Sequence, residues 1–268
     1  MNVRLNGISL AYSDRGSGLP FIFLHAFPLN RTMWRPQEDA LSSQFRIITV
    51  DLRGHGDSDA PLWHYTLDQA AEDVRALMDH LSIRQAVFVG LSMGGYILFA
   101  LYRKYPDRVK GMVFADTRAQ ADTPEGREAR FQLAQIAYRN GAAAVADIMI
   151  PKLLSPATVT TRPDLVRTVR AMIEGTQVSG IAGDLMAMAE RPDSTPFLEG
   201  ITCPAHIIVG ELDQATPPSE AKLMADRIPG SRLTLIPNAA HLANLEQPEA
   251  FNRIVQDFAS ALAREPAG

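Results

Sequence analysis

Apolar positions along the chain fall into two recurring patterns. Short continuous apolar runs occupy residues 20–24, 47–50, 86–89, 112–115 and 206–209, and residues 233–236 read as a last strand. Continuous runs mark strands buried on both faces, as in a parallel sheet, whereas a half-exposed strand would alternate. Ahead of them, residues 3–14 read as a hairpin about Asn6-Gly7, a favoured two-residue turn, followed by a Gly/Ser loop over residues 15–19.

Helical spacing fills the intervals. Thr66 and Gln69 form a capping box before Val74, Leu77, Met78 and Leu81. Residues 94–105 stay apolar until Pro106 stops them, and Ser219 is expected to cap a short helix carrying Leu223, Met224 and Ile228. Pro248 begins a last helix whose stripe is Phe251, Ile254, Val255, Phe258 and Leu262. Strands alternating with helices predict an α/β fold, a mostly parallel sheet with helices on both faces. Residues 118–199 break the alternation. They carry helical stretches at 127–140, 142–150, 164–174 and 178–190 and no convincing strand, so they read as a helical insertion.

Bulk properties narrow the picture. The 268 residues suffice for one large domain with an insertion, and 46% hydrophobic with 21% charged residues is ordinary globular composition. A net charge of −4 and the absence of a basic cluster argue against nucleic acid as a partner. The most apolar stretch, 87–102, is shorter than the roughly 20 residues of a membrane helix and contains Gly90, Ser92, Gly94 and Gly95, so no membrane partner is expected. Residues 1–6 lack a charged start followed by an apolar run, which leads to the expectation of no secretory signal and a cytoplasmic location. The single cysteine, Cys203, excludes an intrachain disulfide and reads as a buried, inert thiol. Oligomeric state is left open, a homo-oligomer included.

In an open parallel sheet the functional loops lie at the carboxyl ends of the strands. The run 86–89 ends in Gly90-Leu91-Ser92-Met93-Gly94, followed by a helix pattern. This is the strand–turn–helix setting of a nucleophile elbow: a strained turn projects the serine hydroxyl, and glycine is needed two residues to either side. Serine requires a base oriented by a third group. Asp213, after the run 206–209, and His241, after the last strand, follow Ser92 in the order this chemistry uses. Asp116 and Glu211 are rival acids, Asp116 the better because it too ends a strand. The backbone N–H groups of Phe27 and Met93 are the candidate oxyanion donors. His25, ahead of the serine in the chain, reads as a structural histidine pinning its loop, and His55 and Asp57 as structural members of a turn-rich loop. No metal-ligand spacing is seen and no cofactor is implied.

The stretches His25–Asn30 (HAFPLN), Asp51–Asp59 (DLRGHGDSD), Gly90–Tyr96 (GLSMGGY), Gly210–Asp213 (GELD) and Ala239–Pro248 (AAHLANLEQP) together resemble the α/β-hydrolase superfamily over essentially the whole chain. The resemblance implies an eight-stranded core over residues 1–117 and 200–268, with residues 118–199 as a helical cap over the active site. It implies a carboxylic-ester hydrolase working through an acyl-enzyme on a small-molecule ester or lactone. A lactonase such as a 3-oxoadipate enol-lactonase, or a cofactor-free perhydrolase, is the alternative, and a ligand receptor of the same fold is the non-enzymatic one. Two positions depart from many relatives: Ala26 and Ala240 stand where glycine is common, which could constrain the oxyanion loop and the turn before His241. Trp34, Ile150, Met186 and Met188 are candidate pocket walls, and Arg118, Arg127 or Arg130 could anchor an acidic substrate.

Overall fold

The computed structural model describes residues 1–62 and 64–262. Eight strands form one sheet in the order β1-β2-β4-β3-β5-β6-β7-β8. They are β1 (Asn2–Leu5), β2 (Ile8–Arg15), β3 (Pro20–Leu24), β4 (Arg46–Val50), β5 (Ala86–Leu91), β6 (Val109–Ala115), β7 (Ala205–Gly210) and β8 (Arg232–Ile236). Pairing is antiparallel from β1 through β2 to β4, and parallel from β4 to β8. The first hairpin turns on Asn6 (φ 48°) and Gly7 (φ 81°), both left-handed as a tight hairpin demands.

Every residue of β5 and β7 is buried, which explains their unbroken apolar sequence. The sheet is covered on both sides, and β6 shows how. Phe114 stacks on Phe99 of α3 (Met93–Lys104), ring centroids 4.7 Å apart. Gly111, three residues back and so on the opposite face, lies under Phe258 and Leu262 of α10 (Pro248–Leu262). The strand β8 differs from the central ones. It is an edge carrying Arg232 and Thr234, and Leu235 on it is exposed.

The other helices are α1 (Arg35–Leu41), α2 (Leu67–His80), α4 (Pro124–Leu153), α5 (Pro156–Thr161), α6 (Pro163–Glu174), α7 (Val178–Ala189), α8 (Pro218–Arg227) and α9 (Ala243–Glu246). Helices α4 to α7 follow β6 and precede β7. The 30-residue α4 is broken at Gly141, whose φ of 79° no helix accommodates, dividing it where the sequence suggested two helices. The short α5, capped by Ser155, has too few residues to show a period and escaped the sequence reading.

Two capping expectations need correction. Thr66 does accept from the Gln69 amide, but Gln69 Oε1 finds no partner, so only half of the box forms. Ser219 lies inside α8, which starts at Pro218 with no side-chain cap; the proline's fixed φ does the starting.

Candidate active site

Ser92 sits between the last residue of β5 and the first of α3, with φ 55° and ψ −111°. A serine in that region is strained, and the surroundings hold it there. Its N–H donates to the Ala115 carbonyl (2.9 Å), and its carbonyl accepts from Thr117 Oγ1 (2.8 Å), so β6 fixes the turn. Glycine is forced on both sides. A Cβ on Gly90 would lie 2.6 Å from the Gly94 carbonyl carbon, and one on Gly94 would run into the Leu24 carbonyl oxygen of β3. The second collision reaches beyond the turn itself: α3 starts packed directly against a neighbouring strand.

Asp213 lies just past β7, and Leu212 N–H donates to the Ala239 carbonyl (2.8 Å), joining the acid's loop to the histidine's. Asp213 Oδ1 accepts from the amides of Ala215 (2.8 Å) and Thr216 (3.0 Å), and Oδ2 from Thr216 Oγ1 (2.7 Å) and His241 Nδ1 (2.9 Å). Burial opposes the Asp213 charge, but His241 and the Thr216 donors outweigh it and hold the carboxyl below its ordinary range. An ionised carboxylate only accepts, so the neutral imidazole carries its proton on Nδ1 and leaves Nε2 as a base.

Asp116 ends β6 beside this pair, but its environment differs. It is fully buried, its Oδ1 accepts from Gly210 N–H (2.7 Å), and its Oδ2 has no hydrogen-bond partner among the described residues. Burial and the nearby Asp213 charge push it well above the ordinary carboxyl range. Glu211 is exposed.

Ser92 and His241 line one cavity of about 110 Å³, together with Phe27, Tyr96, Met188 and Thr216. Neither the Phe27 nor the Met93 N–H donates a hydrogen bond within the chain, among the described residues. The loop bearing Phe27 is pinned by His25, whose Nδ1 donates to the Ala26 carbonyl (3.0 Å) while Nε2 accepts from Leu52 N–H (3.0 Å). Both nitrogens are used and burial lowers its pKa to about 4, so His25 is neutral and occupied. Ala26 and Ala240 both keep φ outside the left-handed region, so alanine fits where glycine was expected.

Of the four candidate pocket residues, Met188 lines this cavity. Trp34 does not: it is fully buried between Phe23 (centroids 5.1 Å) and Phe251 (5.9 Å), a core residue whose size suits the gap between sheet and α10. Ile150 is buried and is not among the described residues that line the cavity. Met186, two residues from Met188 and so on another side of α7, faces a separate groove beside Tyr65 and Tyr138. Arg127 is exposed and away from the cavity, whereas Arg118 and Arg130 line it.

Several contributors were not read from the sequence. Met149, Lys152 and Leu153, at the end of α4, form part of the wall. Thr216 braces the acid, and nothing in its loop sequence marks it. Glu246 is buried and accepts from two amides, Ser155 N–H just past α4 (2.9 Å) and Ala240 N–H just before His241 (2.6 Å). Leu242 N–H adds a bond to the Leu153 carbonyl (3.1 Å). This seam ties the insertion to the histidine loop. Glu246 stands inside the motif that ends at Pro248, which marked its place but not its partners. Cys203, half-buried and unpaired, is raised by burial to about 11 and takes no part.

His55 and Asp184 approach within 3.3 Å where the loop after β4 meets α7. Burial lowers His55 to about 3 and raises Asp184 above the ordinary carboxyl range. Asp57 is exposed and pairs with Arg31. Among the described residues, no helix is long and apolar enough to cross a membrane.

Residues 20–248 match the family described as alpha/beta hydrolase fold. A curated relative, 3-oxoadipate enol-lactonase 2 of Acinetobacter baylyi, is 31% identical over 95% of this chain and 92% of its own. A thermophilic esterase from Thermogutta terrifontis, solved with malate bound, is 40% identical with a TM-score of 0.94, covering 97% of each chain. The enol-lactonase from Burkholderia xenovorans is 34% identical with a TM-score of 0.91, covering 97% of this chain and all of that one.

Proposed function

Because the chain belongs to the α/β-hydrolase family, we propose that it is a serine hydrolase of small carboxylic esters or lactones. Ser92 is the nucleophile, His241 the general base and Asp213 the acid that orients it. Residues 118–199 are the cap that closes over them. The observation carrying this reading is that His241, on the wall of the same cavity as the strained Ser92, is hydrogen-bonded at 2.9 Å to Asp213 behind it.

His241 Nε2 takes the Ser92 proton as Oγ attacks the substrate carbonyl. The oxyanion that forms accepts hydrogen bonds from the unused amides of Phe27 and Met93. Each such donor contributes roughly 3 kcal/mol to the transition state. His241 then delivers its proton to the departing alkoxide, the carbon–oxygen bond breaks, and an acyl-enzyme is left. Water, deprotonated by the same nitrogen, attacks the acyl carbon and releases the acid and free Ser92. Water is the only co-reactant this sequence needs.

The lactone reading uses identical chemistry, except that the leaving alkoxide stays attached to the acyl group. It draws support from the enol-lactonases at 31% and 34% identity, which this chain matches over nearly its full length. Turnover of p-nitrophenyl acetate tests the common core. Sustained hydrolysis that Ser92→Ala abolishes is the expected result. A single stoichiometric burst would favour a receptor, and undiminished turnover in Ser92→Ala would overturn the assignment. Comparing a lactone panel with the ester then separates the two substrates.

A further inference from the structure

Three basic side chains, Arg118, Arg130 and Lys152, line the cavity beside Ser92, and among its described lining residues there is no carboxylate. Their surroundings distinguish them. Asp122, buried behind the wall, takes Arg118 Nη2 (2.6 Å), Arg130 and Arg191 Nη2 (2.8 Å) together. One carboxylate thus serves three guanidiniums, and positive charge is left over. The arrangement also locks Arg118 and Arg130 in place, with Arg191 further held by its bond to the Met188 carbonyl (2.8 Å) and by stacking on Tyr96, 4.2 Å from the ring centroid. Lys152 is the exception. Among the described residues it makes no ion pair and no hydrogen bond. Its backbone is nonetheless fixed relative to His241, because the Leu153 carbonyl and the Ser155 amide on either side of the α4 terminus are bonded to Leu242 and Glu246.

We propose that this cavity selects substrates carrying a carboxylate, and that Lys152 is the residue that reads it. A cleft lined by one sign of charge concentrates ligands of the other. Arg118 and Arg130 supply a fixed field, while Lys152 has all three ammonium donors free for a charge-assisted bond. A cavity of about 110 Å³ suits a short acyl group. Fitting substrates are hemiesters of short dicarboxylic acids, or lactones bearing a carboxylate. The inference rests on the serine-hydrolase reading for the chemistry, but its charge preference can fail separately.

The test compares p-nitrophenyl hemisuccinate with p-nitrophenyl butyrate, an anionic and a neutral ester of similar size. Wild-type kcat/KM should favour the anionic ester. Lys152→Gln should lower that ratio about tenfold, mainly through KM, Lys152→Glu should lower it further, and added salt should narrow it in the wild type. Arg127→Gln, which removes an equal charge from α4 away from the cavity wall, should leave the ratio unchanged. A wild-type preference for the neutral ester, or equal ratios in wild type and Lys152→Glu, would overturn the proposal while leaving the hydrolase reading intact. A second readout needs no turnover. Titration calorimetry of glutarate on Ser92→Ala at low salt should give binding that Lys152→Gln weakens about tenfold, and no detectable binding to Ser92→Ala would also overturn it.

Discussion

The turn holding Ser92 and the seam holding His241 meet at one cavity, yet they are built by different means. The turn is made by exclusion. Gly90 and Gly94 leave no room for a side chain, β3 and β6 press on it from either side, and the backbone has a single way to pass. The seam is made by attraction. Glu246 reaches from α9 to amides of two separate segments, and Thr216 and Asp213 grip the imidazole through polar atoms alone. An excluded-volume device acts on a few adjacent residues, even where the wall it meets is Leu24 of a distant strand, and tolerates almost no substitution. A tether spans 91 positions between Ser155 and Glu246, and its strength depends on charge and on keeping water out.

The largest effect separates two carboxylates at adjacent strand ends. Asp213→Asn should lower kcat by about 10⁴-fold, because the amide favours the wrong imidazole tautomer. Asp116→Asn should leave kcat within severalfold of wild type; a loss comparable to that of Asp213→Asn would move the acid to β6. The same variant carries a pH signature. The unfolded Asp116 carboxyl ionises near pH 4, whereas the folded one stays protonated to higher pH. The native state therefore binds the extra proton above pH 4, and this group's contribution to stability falls as pH rises through that window. Asparagine removes the loss, so Asp116→Asn should gain on wild type as pH rises above about 4, by at most about 1.4 kcal/mol per pH unit, in urea unfolding followed by circular dichroism.

Next is the turn itself. Gly94→Ala drives a methyl group into the Leu24 carbonyl and should cost about 3 kcal/mol of stability with a large fall in kcat. A variant as stable and active as wild type would mean that α3 can shift away from β3 without consequence, and the exclusion argument would be lost.

How much could be read in advance follows the same division. Strands β3 to β7, the elbow and the hairpin at Asn6-Gly7 were legible because each follows from local sterics or a short hydrophobic period. The triad candidates were legible because each ends a recognisable strand. The pocket was not. Trp34 and Met188 look equally suited as apolar walls, and only packing sends one to the core and the other to the cavity. Lys152 lies on a helix with Pro151 inside it, and no period indicates which way its side chain turns. The Asp122 cluster joins Arg118 after β6, Arg130 on α4 and Arg191 after α7, a meeting that sequence order does not announce.

A smaller effect probes the seam alone. Glu246→Gln retains shape but places an amide donor where two acceptors are needed, and should cost about 2 kcal/mol. Hydrogen exchange should quicken at the Ala240 and Ser155 amides while Gly95 and Tyr96, held by the elbow, stay protected. Equal loss of protection at both places would mean that the turn and the seam form one cooperative unit.

In the proposed mechanism His241 and Asp213 activate Ser92. Intact-protein mass spectrometry after a fluorophosphonate probe measures that activation at the serine itself. Wild type should gain one adduct, mapped by peptide digestion to Ser92, and His241→Ala should label orders of magnitude more slowly. Labelling elsewhere, or a Ser92 that reacts equally fast without His241, would contradict the account.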